Sequence, residues 1–189
     1  MRYGKEHKQA THRKLLKVAA TRFRKDGLDS VGVASLMADA GLTHGGFYSH
    51  FPSKEALINE TLKIEMNERF LRAVEISKTG GIEAFIRYYL CPEHRDHPES
   101  GCPLAAFASE INRHAMATRK AYAKKLQGML IYIETLLPPS NSEKAQAILA
   151  TLVGGMQLAR AVPDKKLSTQ ILHSTAKTAC NLAKSTQRN

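Results

Sequence analysis

The chain has 189 residues, 43% of them hydrophobic and 24% charged, an ordinary globular balance with room for one large domain or a small one joined to a larger one. It has no apolar run of about 18 residues to cross a membrane, its basic N-terminus lacks a signal peptide's apolar stretch, and the odd cysteine count (Cys91, Cys102, Cys180) argues against a disulfide framework, so a cytoplasmic protein is expected. The net charge of +11 points to a polyanionic partner: residues 1–54 carry ten Lys/Arg against four acids, residues 160–189 six against one, and the stretch between is neutral with twelve of each.

The period-2 alternation of strands is nearly absent, which predicts an all-α fold. Over residues 9–25, Leu15, Leu16, Ala19, Ala20 and Phe23 form one apolar stripe among basic residues, and Gly27 stops the helix. A short helix over 33–40 follows, with Gly32 near its N-cap and Gly41 breaking it. Thr43 caps a third helix over 44–50, which Pro52 closes. Ser53 caps a long helix reaching about residue 77, Gly80-Gly81 ends it, and another covers 82–90. Residues 91–103, with three prolines and a glycine, read as the longest irregular stretch. Helices resume over 104–112, 115–137, 141–160 and 166–185.

Two short helices joined by Gly41-Leu42-Thr43 have helix-turn-helix spacing, with Leu36, Met37, Ala40, Leu42 and Phe47 available to face inward. Gly45 and Gly46 would each cost a helix about 1 kcal/mol against Ala. They make sense where a backbone lies close to DNA. Spacing alone fits an ordinary helical hairpin equally well.

The residues themselves separate these alternatives. The run from Arg13 to Leu57 resembles the DNA-binding domain of the TetR family of bacterial regulators. The resemblance rests on Ala19, Phe23 and Gly27, then on Val33-Ala34-Ser35-Leu36-Met37-Ala38-Asp39-Ala40-Gly41-Leu42-Thr43. It continues through Gly45-Gly46-Phe47-Tyr48-Ser49-His50-Phe51-Pro52-Ser53-Lys54-Glu55-Ala56-Leu57. Gly32 and Met37 depart from it, standing where a capping Ser or Thr and a small Ala are common. The resemblance implies a helix-turn-helix DNA-binding domain over 1–52 and a helical ligand-binding and dimerisation domain over 53–189. It implies a sequence-specific transcriptional regulator and not an enzyme. The expected mode is a homodimeric repressor on double-stranded operator DNA, released by a small, largely apolar effector, with no cofactor and no metal.

Chemistry and resemblance together suggest roles. Thr43, Tyr48 and Lys54 suit phosphates, as does Arg13 on the first helix; His44, Gly45 and Ser49 are placed for base edges, beside Gly46. His50 belongs either at the DNA backbone or packed against Phe51. Candidate effector contacts are Met66, Phe70, Phe85, Tyr88, Tyr89, Phe107, Tyr122, Leu126, Met129 and Ile133, residues that plain core would also explain. Candidate dimer contacts are Leu149, Leu152, Val153 and Met156, beside a small-residue stripe of Ala147, Ala150 and Gly154, together with Ile171 and Thr175. Intramolecular core is the alternative for these.

Competing classes have weaker support. Cys91, His94, His97 and Cys102 could supply four zinc ligands, but their spacing matches no common finger. No G-x-S-x-G, H-E-x-x-H or phosphate-binding glycine loop occurs. A nucleoid-type DNA binder would share the charge but not the sequence selectivity. Cys102, before Pro103 at a helix start, is either a reactive thiol or a small packing residue.

Overall fold

The computed structural model describes residues 2–63 and 68–184, and every long regular element among them is a helix. The N-terminal part comprises α1 (Arg2–Asp26), α2 (Val33–Asp39), a 3₁₀ segment (His44–Ser49) and α3 (Lys54–Lys63). Then follow α4 (Glu68–Tyr89), α5 (Pro92–Asp96), α6 (Pro103–Phe107), α7 (Met116–Thr135), α8 (Ala145–Ala161) and α9 (Lys165–Lys184). No described helix is long and apolar enough to cross a membrane.

Several boundaries differ from the sequence expectation for local reasons. The 91–103 stretch is not irregular: Pro92, Pro98 and Pro103 each begin a helical turn, where a missing N–H costs nothing. α6 stops at Phe107, short of residue 112, and a 3₁₀ turn at Ile111–Arg113 follows. The break expected at Gly80-Gly81 is a kink within α4: Gly81 has φ 59° and ψ −154°, a conformation for which only glycine lacks a steric penalty. Ser53 caps α3 as expected, its hydroxyl accepting from the Ala56 N–H at 3.1 Å.

The buried apolar side chains fall into two clusters. The first joins α1, α2, the 3₁₀ segment and α3 through Leu15, Phe23, Leu36, Phe47, Phe51 and Leu57, and draws in Phe107 and Ile111 from further along the chain. The second joins α4 and α6–α9 through Phe85, Tyr89, Leu104, Ile133, Leu152 and Leu172. Tyr122 on α7 packs against both. α8 and α9 approach closely because Gly155 faces Thr175, leaving no room for a Cβ.

Candidate nucleic-acid interface

α2 ends in a Schellman turn. Gly41, at φ +68°, donates to the Ala38 carbonyl at 2.9 Å, and Leu42 donates to that of Met37 at 2.8 Å. This turn delivers the chain into the His44–Ser49 segment. The bonds Gly46 N–H to Thr43 O (3.0 Å) and His50 N–H to Phe47 O (2.9 Å) close three-residue turns, so the expected third helix is 3₁₀. Two adjacent glycines and two anchoring phenylalanines explain this: propensity is weak here and packing decides.

Phe47 and Phe51 are 0% and 1% exposed, while Tyr48 is 65% exposed. Thr43, His44, Gly45 and Ser49 also face solvent. The Thr43 side chain makes no capping bond, contrary to expectation, so its hydroxyl is not engaged by the helix start. Ser49 Oγ donates to the Gly46 carbonyl at 2.7 Å, and the Tyr48 ring stands edge-on to His44 and Phe47. A Cβ added at Gly45 meets nothing within 4 Å, and Gly45 is not among the positive-φ residues, so the fold does not require glycine there. At Gly46 an added Cβ would lie 3.6 Å from the Met37 methyl and from Thr43 Oγ1, ordinary contact.

Arg13 is exposed on α1. Lys54 does not stand open at its helix start: its ammonium donates to the Asp29 carbonyl at 3.1 Å and braces the α1–α2 loop. His50 is half-buried, its ring centroid 6.1 Å from that of His12, and its Nδ1 is buried without a partner. Burial, with His12 and Lys8 adding to it, pulls the His50 pKa down and favours the neutral ring. His12 was not foreseen as a site residue. Its ring stacks on Phe51 at 4.4 Å and its Nε2 lies 2.9 Å from Glu60. Its helical spacing from Leu15 and Ala19 marked that face. With Lys8, Gln9, Ser49 and His50, it lines a groove of about 310 Å³.

A later segment steadies this unit. Glu110 accepts from the Leu28 and Asp29 N–H groups at 2.8 and 3.1 Å. Arg113 reaches Asp29 at 3.2 Å, and His114 Nδ1 lies 2.9 Å from Glu55. The exposed Arg113–Asp29 pair is worth about 1 kcal/mol or less, so its effect is orientation more than stability.

Most candidate effector contacts gather on the second cluster. Phe85, Tyr89 and Ile133 are buried in it, and Tyr88, Tyr122, Leu126 and Met129 pack against it. Phe70 meets the Tyr132 ring at 5.3 Å, and the Tyr132 hydroxyl is hydrogen-bonded to Ser77. Tyr122 donates to the Leu104 carbonyl at 2.9 Å, and burial pushes its pKa up to about 12. Phe107 stands apart, packed in the first cluster. Met66 lies outside the described residues.

Among the candidate dimer contacts, Leu149, Leu152 and Met156 are buried within the single chain, while Val153 and Ile171 pack half-buried against the same core. Thr175 abuts Gly155, and Ala147, Ala150 and Gly154 are exposed.

In the 91–102 loop, the His94 Nδ1–H donates to the Tyr89 carbonyl at 2.7 Å, and Nε2 accepts from the Cys102 N–H at 3.0 Å. Both ring nitrogens are occupied, so this histidine has none left for zinc. Cys91 Sγ instead lies 3.1 Å from the Arg69 guanidinium. Cys102 is the N-cap of α6 but only 8% exposed, as suits a packing residue.

Residues 15–61 match the family model described as bacterial regulatory proteins, tetR family. The HTH-type transcriptional repressor KstR2 of Rhodococcus jostii is 34% identical over 120 residues, covering 63% of this chain and 59% of that protein. KstR2 of Mycolicibacterium smegmatis is 36% identical over 66 residues, covering 35% and 32%. The chain therefore spans less than two thirds of the length of these relatives. Among solved structures, a TetR-family regulator from Cytophaga hutchinsonii superposes with a TM-score of 0.76 at 17% identity, covering 95% of this chain and 98% of that one. Reduced NemR of E. coli gives 0.73 at 18%, covering 95% and 100%. These low identities speak for the fold: helical throughout, an N-terminal helix-turn-helix followed by a helical C-terminal part. The family and the named relatives are transcriptional regulators, not enzymes. The matched segment, the helix-turn-helix geometry and the whole-chain fold agree: residues 15–61 carry the helix-turn-helix of bacterial regulatory proteins of the tetR family, and the chain as a whole has the fold of such regulators.

Proposed function

We propose that this protein is a cytoplasmic, sequence-specific transcriptional repressor that binds double-stranded operator DNA as a homodimer and leaves it when a small, largely apolar effector binds. The observation that carries the proposal is the 3₁₀ segment, whose phenylalanines anchor it from within while Thr43, His44, Gly45, Tyr48 and Ser49 face outward. A glycine that neither backbone angle nor packing demands, at Gly45, fits a surface laid against a groove. Thr43, Tyr48 and Arg13 would hold phosphates, with Lys54 steadying the loop beside them. His44, Gly45 and Ser49 would meet base edges. The repressing sign follows the printed function of the KstR2 relatives.

Residues 1–52 form the DNA-binding domain in this proposal, and 53–189 the effector and dimerisation domain, with α3 packed along the former. The aromatic layer of Phe70, Phe85, Tyr88 and Tyr89 supports an apolar effector, and the buried Tyr89 hydroxyl, whose partner is the weakly hydrogen-bonding Cys102 thiol, offers it one polar contact. Val153, Ile171 and Thr175 would edge the dimer face, with Leu149, Leu152 and Met156 supporting it from beneath. Selection of bound duplexes from random DNA should return a palindrome with half-sites about one helical turn apart. Affinity for it should fall with salt at a log–log slope of about −0.9 per phosphate contacted. Binding without a consensus would leave only a nucleoid-type binder.

A further inference from the structure

A cleft of about 640 Å³ lies between the last turn of α1 and the turn joining α8 to α9, its lining shared with neither the exposed 3₁₀ segment nor the aromatic layer. Its size is that of a small-molecule site, about 300–1,000 Å³. Five cationic side chains line it: Arg24, Lys25, Arg95, Arg160 and Lys165. Three acids also line it, and each is already engaged. Asp26 pairs with Arg22 at 2.6 Å, Asp96 pairs with Arg95 at 2.7 Å, and Glu110 accepts the Leu28 and Asp29 N–H groups.

Arg24 and Arg160 are different. Arg24 donates through Nε to the Glu99 carbonyl at 2.7 Å. Arg160 donates to the carbonyls of His94 (2.5 Å) and Arg95 (3.3 Å). Among the described residues, no carboxylate forms an ion pair with either, and the Glu99 carboxylate is turned to His97 at 3.1 Å. Carbonyl dipoles orient these guanidiniums without neutralising them. Both are half-buried, and burial pulls both pKa values down, an effect that the nearby Glu99 carboxylate offsets only in part. Arg160 is also held in place: a Cβ on Gly101 would come within 3.0 Å of its Nη2 and 2.9 Å of His94 Nε2, so the glycine lets the three pack together.

We propose that this cleft binds an anionic small molecule, its carboxylate or phosphate group held by the Arg24 and Arg160 guanidiniums, with Lys25 and Lys165 at the margin. Planar guanidinium donors match oxyanion geometry. Ala106, Pro98, Val162 and Pro163 supply an apolar wall for the remainder of the molecule. The occupant would touch α1 and the α8–α9 turn at once, bridging the DNA-binding end and the C-terminal helices.

The inference does not depend on DNA binding, so it and the proposed function can fail separately. The full chain is titrated with pyrophosphate, and in a parallel arm with succinate, at constant ionic strength, while amide resonances are followed by NMR. Saturable shifts are expected at Gly27, Gly101, Val162 and Ser168, and the arm that saturates at lower concentration distinguishes phosphate from carboxylate. Arg24→Gln, which keeps an amide donor for the Glu99 carbonyl, and Lys165→Gln, at an exposed position, should each weaken binding, Arg24→Gln by about tenfold or more. Lys120→Gln, an exposed position on α7 outside the cleft lining, should leave it unchanged. Shifts confined to residues 8–13 and 43–54, no saturation with either anion, or wild-type affinity in both cleft variants would overturn the proposal.

Discussion

The two hydrophobic clusters treat their aromatic residues differently. In the first, Phe23, Phe47, Phe51 and Phe107 are all at most 3% exposed, and none carries a polar atom. In the second, tyrosine hydroxyls lie inside or at the edge of the core: Tyr132 bonds Ser77, Tyr122 bonds the Leu104 carbonyl, and the buried Tyr89 hydroxyl has the Cys102 thiol, a weak partner. A core of hydrocarbon alone fixes its surface in one arrangement, as a segment that presents side chains to DNA requires. A core holding hydroxyls leaves hydrogen-bonding capacity inside, at a cost in stability that a bound molecule can offset. The difference teaches that the first cluster has only to fill space, whereas the second must also satisfy the hydroxyls it encloses.

The sharpest break of this contrast is Phe47→Ala. Truncating a fully buried phenylalanine should lower the free energy of unfolding by about 3–5 kcal/mol in a denaturant titration. A loss below about 1 kcal/mol would mean that the first core yields around the gap and is not a rigid platform.

The second cluster should show its polar character in pH. Burial holds His94 neutral, with a pKa of about 3 against the ordinary 6.5. Between those values the unfolded chain takes up a proton that the folded chain refuses. The contribution is therefore fully present above the unfolded pKa and is lost as pH falls from 6.5 toward 3. The limiting slope is about 1.4 kcal/mol per pH unit. Unfolding free energies measured from pH 7 down to pH 4 should follow it, and His94→Gln should flatten the profile. An unchanged slope in the variant would place the acid sensitivity elsewhere.

The smallest effect separates two tyrosines of one cluster. Tyr122→Phe removes a 2.9 Å hydrogen bond to a backbone carbonyl and should cost about 1 kcal/mol. Tyr89→Phe removes a buried hydroxyl whose partner is only the weakly hydrogen-bonding Cys102 thiol, and should cost less than the loss in Tyr122→Phe. Equal losses in both variants would show that the Tyr89 hydroxyl is satisfied, and the contrast between the cores would narrow.

Much of the N-terminal unit was legible because its signals are local. The apolar stripe of α1, the break at Gly41, the Ser53 cap and the identity of residues 45–57 all act within a few positions of one another. The form of the 44–49 segment was not legible: a run of six residues with two glycines has too little intrinsic preference, and burial of Phe47 and Phe51 decides its turn. The candidate dimer contacts show the same limit. Helical spacing marked Leu149, Leu152 and Met156 as apolar but could not tell whether α9 of the same chain or a second chain covers them, and α9 of the same chain packs against them.

The sequence by itself determined the helical class, the helix-turn-helix and its likeness to the tetR-family segment, because periodicity, caps and turn residues are written in neighbouring positions. Only the tertiary structure decided that Phe107 belongs to the first core, that His94 spends both nitrogens on backbone groups, and that Arg24 and Arg160 line one cleft with no carboxylate ion pair among the described residues. Those outcomes join residues from 5 to about 140 positions apart, and a helical pattern states which face is apolar or charged without stating what will cover it.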